Sequence, residues 1–291
     1  MTIKKATTIE EQISRLIERG LNIPDKSKAE EVLQDIGYYR LGFYLFPFEV
    51  GYPKLNKRSH KYKEGVSLDY AIALYYLDLD LRQILSKYLT RIEVALKTAM
   101  IYHLSNKYKE SPTWFVDKSV VKTSYVDSFQ DKVYNRLLKN DIIRRHHKKY
   151  KDELFAPAWK TIEFMTFGEI NTLYASLLFV DDKLLISRKF NINKTKVFLS
   201  YIDAVRVLRN ACAHGSVIFD LKLSTSISKG PAFQVNGMNA YSLDAVLHVV
   251  EYLLSTISMN RIRDMKKEIL DAVALAEKKF PTVKSLVQIN F

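Results

Sequence analysis

The sequence predicts an all-α fold, and three observations carry that expectation. Apolar residues recur every three or four positions over long stretches, the spacing of a helix with one buried face. Glycine and proline are scarce, 9 and 7 in 291 residues, so tight turns are few. The chain is 47% hydrophobic and 12% aromatic, enough for one large or two small domains with packed cores.

Taken in order, Thr8 with Glu11 three residues on has the form of a capping box, opening a helix that buries Ile13, Leu16 and Ile17 and ends at Gly20. Asp25 or Ser27 starts a second helix to about Ile36. The pair reads first as a packed N-terminal wedge and second as a small helix-turn-helix for nucleic acid. Gly37-Tyr38-Tyr39-Arg40-Leu41 leads into an aromatic run that Pro47 interrupts, and residues 54–64 form a basic loop or short extended hairpin closed by Gly65. The longest helical pattern runs from Ser67 to about Lys107, with Leu74, Leu77, Leu81, Leu85, Tyr88, Ile92 and Leu96 inward and a break expected near residues 78–80. Pro112 ends that pattern, and Trp114-Phe115 anchors the connection.

A single basic helix is expected from Asp127 to about Tyr150. After Pro157, Gly168-Glu169-Ile170 opens a short helix through Leu178, and a small helix over 182–188 precedes a longer one that Asn193 or Thr195 caps. Residues 224–239 have the composition of an irregular loop, with a short β pairing expected around Phe233-Gln234-Val235 and a place as a flap beside His214. A buried helix over Leu243 to Ser258 and a charged one from Asn260 to about Lys279 follow, and the basic tail after Pro281 is expected to be loosely held. The expected division is an N-terminal helical extension with its basic loop over 1–65 and a helical domain over 66–291, with a small irregular insertion after the motif helix.

The stretch from Arg206 to Ser216 carries the chemistry. Phe198, Tyr201, Val205, Leu208 and Cys212 recur at three- and four-residue spacing, and Gly215 stops the helix they define. Arg209 falls within that stripe, so its guanidinium must find an acidic or phosphate partner; Glu93, flanking the stripe of the long upstream helix, is the candidate. His214 occupies the last turn, where the helix dipole favours a positive charge. Two readings stay open. In one, Arg209 and His214 handle phosphate, with Asn210 orienting one of them; in the other, Arg209 is tied to a carboxylate and His214 only caps the helix.

Net charge is +13, which favours an anionic partner, most simply nucleic acid. The charge is clustered. Lys132, Arg136, Lys139, Arg144, Arg145, Lys148, Lys149 and Lys151 face only Asp141 within their segment, and Lys54, Lys57, Arg58, Lys61 and Lys63 form a second group. Candidate RNA contacts are Lys54, Lys57, Arg58 and Lys61 in one cluster and Arg144, Arg145, Lys148 and Lys149 in the other; a solvated helix face or loop explains either cluster taken alone.

Other chemistries find no pattern. The lone Cys212 excludes an internal disulfide framework and a cysteine-rich zinc site. Asp78, Asp80 and Asp181-Asp182 lie in separate elements, and the adjacent His146-His147 diverge on a helix, so no metal site is expected. There is no glycine-rich phosphate loop and no nucleophile elbow, hence no expected cofactor. Apolar runs such as Ala71 to Leu77 are far short of a membrane span, and a soluble cytoplasmic protein is expected.

Arg209-Asn210 with His214 resembles the R-N-x3-H motif of HEPN-domain ribonucleases. Residues Glu10 to Leu21, Gly37 to Leu41, Leu81-Arg82, Arg91-Ile92-Glu93, Phe167 to Ile170 and Leu208 to His214 follow the order of Abi-like proteins of the AbiD/AbiF type. The resemblance implies an all-α HEPN-like bundle and a phage-defence or toxin-like role. It further implies cleavage of RNA at the Arg and His in a cleft shared by two copies, and a small non-coding RNA as partner. Many such relatives carry a second bulky or His residue after the motif His, where this chain has Gly215.

Overall fold

The computed structural model describes residues 5–54, 56, 58–232, 237, 239–287 and 289. Its α-helices in chain order are α1 (Ile9–Glu18), α2 (Lys26–Asp35), α3 (Tyr38–Leu45), α4 (Leu68–Lys107), α5 (Thr123–Phe129), α6 (Asn135–Leu137) and α7 (Asp141–Lys149). There follow α8 (Ala158–Thr161), α9 (Phe167–Ser176), α10 (Val180–Arg188), α11 (Thr195–Ala213), α12 (Leu243–Ser255), α13 (Met259–Glu277) and α14 (Val283–Val287). Among the described residues β pairing is confined to isolated bridges, so the fold is all-α. None of these helices is long and apolar enough to cross a membrane.

Local chemistry starts most of these helices. Thr8 Oγ1 accepts the Glu11 N–H at 3.2 Å while Glu11 Oε2 accepts the Thr8 N–H at 2.8 Å, a complete capping box on α1. Asp25 caps α2. A second capping box, Thr166 with Glu169, starts α9 at Phe167, one residue before the expected Gly168. By contrast α11 follows Lys194, which makes no side-chain cap bond, so neither Asn193 nor Thr195 serves as its cap.

Four expectations are corrected. No break interrupts α4, which runs for 40 residues, about 60 Å at 1.5 Å per residue; the aspartate that suggested a break accepts hydrogen bonds from three groups outside the helix. The basic segment is not one helix. After a π-helical turn (Gln130–Tyr134) and α6, Asn140 turns to extended backbone and accepts the Ile142 N–H at 2.9 Å, capping the separate α7. The tail after Pro281 is held, because Val283 and Val287 lie one helical turn apart and are both buried. Finally, the segment after α11 is tied through Ser228 N–H to Ser200 Oγ at 2.9 Å and Ala232 N–H to the Tyr201 hydroxyl at 3.1 Å. Those anchors lie about 20 Å along α11 from His214, so the segment is a strap on the helix and not a flap beside the histidine. The expected pairing at Phe233-Gln234-Val235 lies outside the described residues.

The chain divides into two units. The first comprises 1–84, 215–220 and 266–291. Its core joins Leu16, Leu33, Leu41, Leu74 and Leu81 to Phe280 and Val283 from the carboxyl-terminal segment. Phe280 stacks on Tyr70 at 4.9 Å and meets Phe48 edge-on at 5.3 Å. The basic hairpin folds here: Glu49 and Tyr62 form an antiparallel bridge, with Val50 N–H donating to the Lys61 carbonyl at 2.9 Å.

The second unit comprises 85–214 and 221–265. Within it α9, α10 and α12 pack on α11, whose Phe198, Tyr201, Val205 and Leu208 are buried. Trp114 and Phe115 are fully buried, and the Trp114 indole donates to Ser105 Oγ at 3.1 Å.

In the first unit, fully buried Asp78 organises the short segment at 215–220. Its Oδ1 accepts the Ile218 and Phe219 N–H groups at 2.9 and 2.8 Å, its Oδ2 accepts the Tyr44 hydroxyl at 2.9 Å, and Arg82 stands 3.5 Å away. Burial pushes the Asp78 carboxyl above the usual range, against the pull of those donors and of Arg82. Burial and the neighbouring Asp78 also push the Tyr44 hydroxyl up.

Asp78→Ala is predicted to cost about 3–5 kcal/mol, because it strands two backbone amides and a hydroxyl and removes the carboxylate 3.5 Å from Arg82. The readout is the midpoint of urea unfolding. A loss below about 0.5 kcal/mol would show that the carboxylate is not what holds this segment.

Candidate active site

The motif sits at the end of α11. His214 is the C-cap residue (φ −96°, ψ 7°), and its N–H donates to the Asn210 carbonyl at 2.9 Å. Gly215 follows at φ +67°, the left-handed conformation expected one residue past the cap. The His214 side chain is exposed, and among the described residues its imidazole has no hydrogen-bond partner.

Arg209 points to α4. Its Nε stands 3.3 Å from Glu93 Oε2, and its Nη1 donates to Asn210 Oδ1 at 3.4 Å. Glu93 is shared: its Oε1 lies 3.1 Å from Lys97 Nζ, which also donates to the Glu163 carbonyl at 3.0 Å. Two cations on one carboxylate leave this cluster with a net positive charge. The Arg209 side chain is 33% exposed, and its remaining N–H groups have no acceptor among the described residues. The structure thus brings together Arg209, Asn210 and Glu93. His214 diverges from Arg209 by about 140° around the helix and about 7.5 Å along it.

The backbone that leaves His214 is gripped within the first unit. The Gly215 carbonyl accepts from Arg40 Nη2 at 2.6 Å and from Arg82 Nη1 at 2.9 Å, and the Ser216 carbonyl accepts from Arg82 at 3.1 Å. With Asp78 holding Ile218 and Phe219, residues 215–219 are fixed by side chains from α3 and α4. Sequence reasoning missed Asp78, Arg82, Arg40 and Tyr44 as parts of this arrangement. A signal existed: Asp78 and Arg82 follow Leu74 at successive four-residue steps, charged residues at core positions, as Arg209 is in α11.

The basic clusters fare unevenly. Arg58 donates to both carboxylate oxygens of buried Glu49 and lies 4.6 Å over the Phe46 ring, so its guanidinium is engaged. Lys54 and Lys61 are exposed, and Lys57 lies outside the described residues. On α7, Arg144 pairs with Asp141 and Arg145 donates to the Asp141 carbonyl at 3.3 Å, while Lys148 and Lys149 are exposed. The two histidines between them are structural. His146 is buried between Glu153 and Lys160, and His147 meets the Tyr134 hydroxyl at 2.7 Å. Among the described residues no group of three or more His, Cys, Asp or Glu is placed to hold a metal ion.

Gly215→Ala is predicted to lower stability by about 1–2 kcal/mol, the cost of a Cβ in the left-handed region. The added carbon also meets Arg40 Nη2 at 3.3 Å, so the clamp on the carbonyl loosens. Thermal unfolding measures the loss, and an unchanged midpoint would remove the conformational argument.

Neither the curated proteins nor the solved structures compared with the chain match it. A family model does: the model described as Abi-like protein covers residues 31–220, which takes in Arg40, Asp78, Arg82, Glu93 and the whole Arg209 to His214 motif, and the chain belongs to that family.

Proposed function

We propose that this protein is a metal-independent endoribonuclease of the HEPN type, acting as an abortive-infection effector under the control of a small non-coding RNA. Membership of the Abi-like family supports the phage-defence role. The observation that carries the chemistry is the end of α11, where an exposed imidazole and a guanidinium with unoccupied N–H groups stand five residues apart.

In this reading neutral His214 takes the proton of an RNA 2′-hydroxyl, and the 2′-oxygen attacks the adjacent phosphorus. The P–O5′ bond breaks, a second, protonated imidazole returns a proton to the leaving oxygen, and Arg209 stabilises the charge building on the phosphoryl oxygens. Glu93 and Asn210 orient the guanidinium. Because Arg209 and His214 diverge on one helix, two copies of the motif in an isologous homodimer supply the complete set. The exposed cations of α7, with Lys54 and Lys61, add sequence-independent attraction for RNA.

A second reading has two observations in its favour. The Arg209–Glu93 pair and the position of His214 at the cap also suit a non-catalytic RNA-binding module, in which Arg209 holds phosphate and nothing is cut.

Cleavage separates the two. The purified protein is expected to cut RNA in EDTA, leave 2′,3′-cyclic phosphate and 5′-hydroxyl ends, and spare DNA. Arg209→Ala or His214→Ala should abolish cutting with helical content retained, since Arg209 is one-third exposed, buried Glu93 keeps Lys97 as its partner, and His214 is exposed. Intact RNA after incubation with the wild-type dimer, or cleavage at a 2′-deoxy position, would sink the ribonuclease. Sequencing RNA that copurifies with the protein tests the small-RNA partner.

Affinity for RNA should also fall with salt. Replacing Arg144, Arg145, Lys148 and Lys149 by Ala should flatten the slope of log affinity against log salt by about 0.7 for each phosphate that the variant no longer neutralises. An unchanged slope would take α7 out of the RNA surface.

A further inference from the structure

A concavity of the second unit lies upstream of the motif on the same helix, α11. A groove of about 810 Å³ lies between α9, α11 and the strap at 223–228. Its floor is a stripe of α11, Lys196, Ser200, Asp203 and Val207, at steps of four, three and four. Continued at the same period, that stripe reaches Asn210 and then His214. Lys196 and His214 are eighteen residues apart, five full turns, so they project along one line about 27 Å long. Arg209 lies on the opposite side, towards Glu93. The lining of the groove stops at Val207, and the same face of α11 runs on for about 10 Å to the exposed imidazole.

Its lining is chemically selective. Among the described residues lining it, Lys122, Lys196 and Arg206 face Asp203 as the one acid, and Asp203 is already paired with Arg206 at 2.7 Å. Lys183 stands close behind: it donates to the Ala175 carbonyl at 3.2 Å, and burial together with the like charge of Lys122 holds its ammonium below the usual range. Ammonium groups gathered without matching acids call for an anion. Between the cations stand hydroxyls, Thr172, Ser176 and Ser200 on the helices and Ser224, Thr225, Ser226 and Ser228 on the strap. No aromatic ring is among the described residues lining it, so it offers no platform for base stacking. Cations with hydroxyls and no rings suit a ribose-phosphate backbone, and the hydroxyls have partners in the 2′-hydroxyls that distinguish RNA from DNA. A channel floored by a single helix face has room for one strand.

We propose that this groove holds the single-stranded RNA segment next to the scissile phosphate, gripping phosphates through Lys122, Lys196 and Arg206 and ribose hydroxyls through the strap and α9. The inference rests on the ribonuclease reading only for what happens at the His214 end.

The test uses the full chain and a fluorescent single-stranded RNA of about twelve nucleotides, with a DNA of the same sequence. In a His214→Ala background, the Lys122→Ala/Lys196→Ala variant should weaken RNA binding about tenfold and reduce the salt slope by about 1.4, two phosphates at about 0.7 each. Both lysines are exposed, so the fold should persist, and Lys122→Arg/Lys196→Arg should bind as the parent does. With His214 present, the alanine pair should lower kcat/KM on the long RNA by the same factor and leave a dinucleotide, which reaches only the His214 end, cut at the parental rate. Parental affinity for RNA in the alanine pair, equal affinity for DNA, or competition by AMP as effective as by the long RNA would each overturn the proposal. A protein that cuts nothing but loses RNA affinity in the alanine pair would keep the groove and remove the ribonuclease. Cutting with unaltered affinity would do the reverse.

Discussion

A buried carboxylate, Asp78, is the interaction on which the first unit's hold over residues 215–220 depends. A lone carboxylate in a core is costly, and this one is retained because every direction it faces supplies a donor: two backbone amides, the Tyr44 hydroxyl and Arg82. Arg82 in turn has carbonyls to donate to, at Gly215 and Ser216, where Arg40 joins it. The network converts a stretch that would otherwise be a free helix exit into a fixed backbone, and the residue immediately before that stretch is His214. Gly215 fits the same frame. It takes a positive φ, and its lack of a Cβ leaves space for Arg40 to approach the carbonyl.

The second unit solves a different electrostatic problem at Arg209. A guanidinium on the packed side of α11 needs an acid, and Glu93 provides one, but Glu93 also serves Lys97. A single carboxylate shared by two cations orients both without neutralising them. Arg209 is thereby aimed and still attractive to phosphate, the condition a phosphate-handling arginine must meet. Full neutralisation would have made the pair purely structural, and a missing acid would have left the side chain without a fixed rotamer.

Helix positions were legible in the sequence wherever their causes are local. The capping box at Thr8, the proline breaks, the terminating glycine at 215 and the apolar period of α11 all act within one or two turns. The departures have local causes too, but in competition. Net charge suggested one continuous helix through 127–150, and the Asn140 side chain won by capping Ile142. Polar composition suggested a loose tail after Pro281, and two valines one turn apart won by packing. At the motif, the pairing of Arg209 with Glu93 followed from one rule, that a charge on an apolar stripe must be met, while His214 was marked by its place in the last turn before Gly215. The same rule applied to Asp78 and Arg82 would have marked them as well.

By itself, then, the sequence determined an all-α chain, the place of its main helices, a motif at the end of α11 and the family to which the chain belongs. Only the tertiary structure decided which groups meet. Arg40 reaches the Gly215 carbonyl across 175 residues and Arg82 reaches it across 133, and no period or composition links positions so far apart. The groove is of the same kind, since Lys122, Lys196 and the serines of the strap become neighbours only when α9, α11 and the strap pack. Caps and stripes are written within a few residues because hydrogen bonds along one helix are short-range. A buried ion network or a groove is set by the packing of several elements, and its partners are known only once that packing is.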